Sequence, residues 1–458
     1  MKKALIFTVM LVSVLVLSFS QQTEWKVNNL TTWIEAVNGI RSGGNDKEHI
    51  INITGNISVP MSSENTFGSL TGIKVTLEGK GTISISSNGA LLRIGYMQIV
   101  IVKDLTLKGR DANNSSVVEI GGTFRMEGKA MITGNSNGGV YLYGGAFIMQ
   151  DNTSVSGNTT KRVGGGVYVG GGTFTMQNNA SVSRNTSSFI GANWENFGGG
   201  GVYVGRGTFT MQDKASVSGN TAVNGGGVCV YSGTFTMQDS AFVSGNTAND
   251  GGGVYVYSGT FIMRDNASVS GNTAQNGGGV SNYRIFTMRD NTSVSGNTAR
   301  KSGGGVYNGG AFTKTGGTIY GYDTAGDLKN NAQKGCAVYN KENGNWRNIS
   351  AGLTMNSDGY GFWLNDEKVI EFPSDFTGTW KRDNFNNTLS ITANTVKSNS
   401  QNFTWNISDI SGDSHKLIAN NTAKTALTLT IKLVNGNIVI SGDSGSGQDN
   451  WNGTWKKQ

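Results

Sequence analysis

The chain has 458 residues, with 69 Gly, 2 Pro, 15% charged residues and a formal net charge of +7. Glycine at that level without the period or the proline of collagen excludes a triple helix, and two cysteines exclude a disulfide scaffold. The charge is spread along the chain with no basic cluster interleaved with aromatics, which argues against a nucleic-acid partner.

The N-terminus reads MKKALIFTVMLVSVLVLSFSQQ, with Lys2 and Lys3 ahead of an apolar run from Ala4 to Leu17 and small residues at Ser18 and Ser20. This layout predicts a signal peptide over 1–20, because the run is too short for a spanning helix. No later stretch has membrane length, so the expectation is a secreted protein, extracellular or on the outer cell surface, without a transmembrane segment once the signal is removed.

Over 21–116, LTTWIEAVNGI places Trp33, Val37 and Ile40 on one helical face, with Thr32 and Glu35 spaced as a capping box. Strand-like pieces follow around Ile51, Ile53, Val75, Leu77, Ile83, Ile99, Ile101 and Leu105, with bends at Gly79 and Gly109. The expectation is an N-terminal helical cap and irregular first coils, since an open stack would expose unpaired strand edges. The region also resembles the leading turns of pectate-lyase-like folds.

From 117 to 348 the chain repeats itself. Phe124, Phe147, Phe174, Phe209, Phe235, Phe261, Phe286 and Phe312 recur at intervals of 23, 27, 35, 26, 26, 25 and 26 residues. Such a period means a solenoid or a propeller. Within one unit, Val254 and Val256 flank Tyr255, Phe261 and Met263 flank Ile262, and Ala267 and Val269 flank Ser268. Alternation of period two gives three short strands, each with one buried face. Three strands per unit predict a coil of a parallel β-helix, whereas a propeller blade needs four antiparallel strands. About six apolar side chains per coil should point inward, and coils should stack at roughly 4.8 Å. The usual chirality of parallel crossovers makes the helix right-handed.

The GGGV tracts starting at Gly164, Gly225, Gly251, Gly277 and Gly303 offer a corner with positive φ. Asn158, Asn220, Asn246, Asn272 and Asn297 mark a second corner, where Asn tolerates the left-handed region and can hydrogen-bond along the stack; the alternative reading is glycosylation acceptors or ligands. The segment VSGNTANDGGGVYV, from Val243 to Val256, resembles the repeat of polymorphic outer-membrane proteins and adhesin-like right-handed β-helix proteins. It departs from that pattern with Val243 where the family often has Phe and Gly253 where it has Ala. The resemblance covers Val117 to Tyr339 and implies architecture and surface interaction without naming a partner. Members of that family end in a large transmembrane barrel, for which the residues after Pro373 are too few.

The repeat fades through GGTIYG and KGCAVYN, the expected last coil. A polar linker over 349–375 leads to 376–458, which opens with FTGTW, closes with WNGTW and carries a hairpin signal at Asn435-Gly436-Asn437. The expectation there is a small antiparallel β-barrel or sandwich; the Gly-x-Trp step resembles the opening of lipocalin-like barrels.

Candidate chemistry is sparse. His49 and His415 fall in different segments, which argues against a histidine triad or a zinc site, and both are expected at the surface. Cys229 and Cys336 stand four coils apart, so about 19 Å should separate them and both should be free thiols. Asp151, Asp213, Asp239, Asp265 and Asp290 recur once per coil, either as a calcium-binding ladder or as solvated turn carboxylates neutralised by Lys214, Arg264 and Arg289. The calcium reading lacks the nonapeptide pattern that cages the ion between turns.

Two features suggest a binding surface. If the valines point in, then Tyr141, Tyr168, Tyr203, Tyr255, Tyr307 and Tyr339 point out from one sheet, joined by Tyr143, Tyr231, Tyr257 and Tyr283 two places on. Such a stripe either stacks on a partner or stabilises neighbouring coils. The insertion SSFIGANWENF, which lengthens one interval to 35 residues, carries Phe189, Trp194, Glu195 and Phe197.

The fold expectation is therefore all-β, a right-handed parallel β-helix with three strands per coil, an N-terminal helical cap and a small C-terminal antiparallel domain. Adhesion or surface interaction through a multivalent face is the expected function, with a host or cell-surface protein or glycan as partner. The candidate surface is Phe189, Trp194, Glu195, Phe197, Tyr168, Tyr203, Tyr255 and Tyr307, with no catalytic residue, metal or cofactor expected. One alternative is a polysaccharide lyase or hydrolase, for which Glu195 near Arg162 and Arg206 is the one candidate cluster; another is a passive envelope or matrix component.

Overall fold

The computed structural model describes residues 22–188, 198–321, 326–333 and 335–340, together with strands between Gly378 and Lys457. The expected signal peptide over 1–20, the insertion residues 189–197 and the expected linker over 349–375 lie outside the described residues, as does the tip of the expected Asn435-Gly436 turn.

The repeats form a parallel β-solenoid of about 11 turns. Three sheets run along it, of twelve, eleven and ten parallel strands. The first runs from Gln22–Val27 to Ala311–Lys314, the second from Ile57–Val59 to Thr318–Ile319, and the third from Leu92–Ile94 to Val338–Asn340. Thus the last coil does include GGTIYG and KGCAVYN.

The interior follows the period-two reading residue by residue. Val254, Val256, Phe261, Met263, Ala267 and Val269 are all fully buried, so one coil sends six apolar side chains inward. Each strand pairs in register with its counterparts, as in Thr208↔Thr234, Phe209↔Phe235 and Met211↔Met237. Register makes like stack on like: from Phe147 to Phe312 the rings form one column, with centroids 4.6–4.9 Å apart and planes within 10° of parallel. That repeat is the spacing of paired strands. The 35-residue interval leaves the column undisturbed, with Phe174 and Phe209 4.6 Å apart.

At the N-terminal end the helix α1, Leu30–Ser42, buries Trp33, Ala36, Val37 and Ile40 against the same core. Its cap is not the Thr32–Glu35 pair. Asn29 is the N-cap, in extended conformation at φ −154°, and its side chain accepts from the Thr32 amide at 3.0 Å while Thr32 Oγ1 accepts from the Asn29 amide. The capping box is shifted because the helix begins at Leu30, one turn before the spacing alone suggested. In the IVIV run after Gln98 the inward pair is Val100 and Val102, so Ile99 and Ile101 point outward.

The second corner is also corrected. Positive φ is held by Gly157, Gly219, Gly245, Gly271 and Gly296, each just before an asparagine, and not by the asparagines. These instead turn inward as a polar ladder: Asn158, Asn185, Asn220, Asn246, Asn272 and Asn297 are fully buried, which rules out glycosylation there. Each donates Nδ2 to the Oδ1 of the next, at 2.9–3.1 Å, and each backbone amide donates to that same oxygen. Buried amides are tolerated because every coil supplies the next one's partner. At Gly253, the position where the resembled family writes Ala, a Cβ would meet the Gly279 carbonyl at 2.6 Å and Asn272 Nδ2 at 3.0 Å.

Eight further strands, between Gly378 and Lys457, pair antiparallel in chain order, and the first pairs with the last. Val434 faces Asn437 across the predicted hairpin.

Candidate functional site

The third sheet carries the tyrosines. Its outward middle positions align as Tyr141, Tyr168, Tyr203, Cys229, Tyr255, Ser281, Tyr307 and Tyr339. The direction agrees with the sequence reading, but an exposed stripe does not form. Tyr203, Tyr255 and Tyr307 are only 7%, 8% and 9% exposed, and Tyr168 is half-buried.

Neighbouring rings cause this burial. Tyr141 stacks on Tyr168 at 4.9 Å and Tyr307 on Tyr339 at 5.4 Å, while Tyr168 meets Tyr203 edge-on at 5.2 Å. Tyr231 and Tyr257, two places further along their strands, stack at 5.5 Å as a second row. Where that second row has Gly170 or Gly205, the first-row ring of the preceding coil leans over the bare backbone: a Cβ at Gly170 would meet the Tyr141 ring at 3.2 Å. Ring stacking uses the π-faces that a sugar would need and leaves mostly edges and hydroxyls outward. Burial pushes the Tyr203, Tyr255 and Tyr283 phenols above their usual range, so they act as neutral hydrogen-bonding groups. Within these two rows, Tyr143 and Tyr257, at 48% and 37% exposed, are the most exposed rings.

Phe189, Trp194, Glu195 and Phe197 lie outside the described residues, so the structure does not join them to the tyrosine row. Arg162 and Arg206, the proposed companions of Glu195, are both exposed.

The aspartate column has a structural use. Asp151, Asp213, Asp239, Asp265 and Asp290 all adopt φ of 54–58°, at a turn where Asn178 and Gly128 stand in the equivalent coils. Each carboxylate accepts from a backbone amide of the coil before it, as Asp239 Oδ2 does from the Asp213 amide at 3.2 Å and Asp290 Oδ2 from the Asp265 amide at 3.1 Å. They are turn carboxylates that tie one coil to the next. Among the described residues no cluster of three or more His, Cys, Asp or Glu forms a metal cradle.

Neither cysteine is in a disulfide, and both are buried. Burial pushes the Cys229 thiol up to about 12, which leaves it protonated and packed between Tyr203 and Tyr255. Cys336 occupies the place of Gly304, four strands along the third sheet from Cys229.

Two departures from the repeat escaped the sequence reading. Asp250 stands at the corner where adjacent coils carry Asn224 and Asn276, and Asn276 Nδ2 donates to its Oδ1 at 2.9 Å. Desolvation raises its carboxyl above the usual range, opposed by the Asn276 hydrogen bond and the more distant Lys301. Ser281 replaces a tyrosine of the row and is fully buried, with its hydroxyl against the Tyr283 phenol. Each looks like a harmless exchange in one sequence copy, and only the register shows it to break a column.

No protein-family model, no curated protein and no solved structure matches this chain. The functional reading therefore rests on the geometry.

Proposed function

We propose that this is an exported protein of the outer cell surface or the extracellular space that adheres to a surface protein or glycan through the repeated faces of its solenoid. In this reading the β-helix is right-handed, α1 closes its N-terminal end, and the antiparallel strands after Gly378 are a small separate domain.

One observation carries the reading: identical outward side chains keep one register over successive coils. On the first sheet Thr173 and Thr175 align with Thr208 and Thr210, then with Thr234 and Thr236. On the second, Ser181 and Ser183 align with Ser216 and Ser218, and Ser268 and Ser270 with Ser293 and Ser295. Thr159, Thr186, Thr221, Thr247, Thr273 and Thr298 make a further column at the corner. These columns are uncharged and rich in hydroxyls, which suits hydrogen bonding to a neutral glycan or a polar protein surface. Weak contacts at a fixed spacing add into avidity, which a single site cannot supply.

The test compares the purified protein with a variant lacking residues 226–251, one whole coil, for retention on immobilised neutral and acidic polysaccharides and matrix proteins. The expected result is retention of both on the same panel member, with the shortened protein dissociating several-fold faster. Retention on none, or equal dissociation of the two, would overturn the multivalent reading. Sustained release of reducing ends would make the protein an enzyme instead.

A further inference from the structure

The outward face of the first sheet changes character partway along the stack. Its early strands carry charges: Lys74 Nζ lies 3.3 Å from Glu48 Oε1, Glu78 stands beside Lys103, and Lys103 beside Glu127. From Ala146–Met149 to Ala311–Lys314 the charges stop. The first and third residues of each of these four-residue strands face outward, and they are Thr, Ile or Ala without exception. Thr173, Thr175, Thr208, Thr210, Thr234 and Thr236 form an unbroken block, two columns wide over three coils, and all are at least partly exposed.

This face is also flat. Adjacent strands of an ordinary sheet are rotated by about 20–25°. The phenylalanines behind these threonines keep their ring planes within 10° from one coil to the next, so the strands that carry them are close to parallel. Coils repeat at the 4.6–4.9 Å of the same rings. Alternate residues of one strand stand about 6.6 Å apart. Hydroxyl and methyl groups therefore occupy a planar grid, and the β-branched threonine side chain has few χ1 choices with which to leave it.

A planar, neutral grid of fixed spacing fits a ligand that is itself a planar, neutral lattice. Both repeat distances lie close to the oxygen repeats on a prism face of hexagonal ice, where hydroxyls take lattice positions and methyls fill the gaps between them. A crystalline polysaccharide is the other neutral lattice, but sugar rings call for exposed aromatic faces, and the phenylalanine rings of these strands are buried. We propose that the first-sheet face between Ala146 and Thr313 adsorbs to crystalline ice, with the block from Thr173 to Thr236 as its most regular part. Each contact is weak and the contacts add over the grid, so adsorption belongs to the array and to no single residue. The site shares part of the repeated surface with the adhesion proposed above but takes a different ligand, and separate assays read the two.

The experiment grows ice slowly in a dilute solution of the purified full-length protein and measures the fraction of protein retained in the ice, together with crystal shape. Faceted crystals are expected, with retention several-fold above that of a protein without affinity for ice. Thr210→Lys sets a hydrated charge in the block and should lower the retention about tenfold. Thr236→Tyr, which raises a ring above the plane without adding charge, should do the same. Ser218→Lys, at an outward position of the second sheet, should leave retention unchanged. Circular dichroism melts equal to that of the wild type show that the variants act on the face and not on folding. Retention no greater than that of the reference protein, or left intact by both threonine variants, would overturn the proposal. Sedimentation with microcrystalline cellulose or chitin, lost in Thr210→Lys and unaccompanied by retention in ice, would also overturn it and give the face to a crystalline glycan. Binding to immobilised polysaccharides or matrix proteins without retention in ice would remove this site and leave adhesion standing; retention in ice alone would do the reverse.

Discussion

Asn246 makes the logic of a stack visible in one side chain. Its Oδ1 accepts from both the backbone amide and the Nδ2 of Asn220, while its own Nδ2 donates to the Val217 carbonyl and to Asn272 Oδ1. Asn246→Ala would strand two donors of Asn220 inside the solenoid. At about 1–3 kcal/mol for each buried group left unpaired, the loss should reach several kcal/mol. Chemical denaturation of the variant measures it, and a change below about 1 kcal/mol would mean that water or a neighbouring group replaces the ladder. His49 poses the opposite case, a buried polar group that never had partners: neither ring nitrogen is hydrogen-bonded and the residue is 3% exposed. Desolvation lowers its pKa below 6.5, and Lys47 lowers it further. The folded state then binds its proton less readily than the unfolded chain. The stability associated with neutral His49 is present above about pH 6.5 and is lost as pH falls from there toward the lowered folded value. His49→Leu should remove that part of the acid dependence. The check is the difference in unfolding free energy between the two proteins from pH 7 to pH 5, which should grow as pH falls; a constant difference would show that His49 does not titrate in that window.

At the scale of elements, what could be read from the sequence was whatever depends on one coil alone. Period-two alternation placed the inward residues of the regular coils, because a strand has only two faces and one of them must be dry. It is silent at the IVIV run, where both faces are apolar and Val100 and Val102 turn in by register with the coils on either side. The cap of α1 was misplaced by one turn since Asn29 and Thr32 satisfy the same chemistry as Thr32 and Glu35, and only the first helical residue decides between them. Relations between coils were harder. That Tyr203 and Tyr255 would be covered depends on rings of adjacent strands about 4.8 Å away, a distance at which aromatic side chains pack on one another before they meet solvent. The asparagine corner was read as a turn former, yet the preceding glycine takes the positive φ and frees the asparagine to face inward. Asp250 and Ser281 carry no motif at all, and their interest lies in standing where the repeat writes something else.

For the whole molecule, repetition has a mechanical consequence. Each coil contacts its neighbours and little beyond them, so stability is close to a sum of coil terms and interface terms. The coils are interchangeable where their columns agree: Phe, Met, Val, Asn and Asp of one coil meet the same residues in the next, as between Phe209–Met211 and Phe235–Met237. Removing residues 226–251 joins Gly225 to Gly252 and brings the Val202–Val204 strand against Val254–Val256, with Tyr203 against Tyr255. Every column then closes over the gap, with one coil and one interface lost. The thermal midpoint should move by no more than about 5 °C and the transition should stay cooperative. Removing only residues 226–238 places the aspartate turn where a valine strand belongs, so that polar groups enter the core and apolar ones leave it. That variant should be unfolded or aggregated although it loses fewer residues. Circular dichroism melts of the two variants decide the matter, because a solenoid held by register tolerates the larger deletion and fails with the smaller one. Equal damage from both would mean that stability resides in unlike, coil-specific contacts instead of in the repeat.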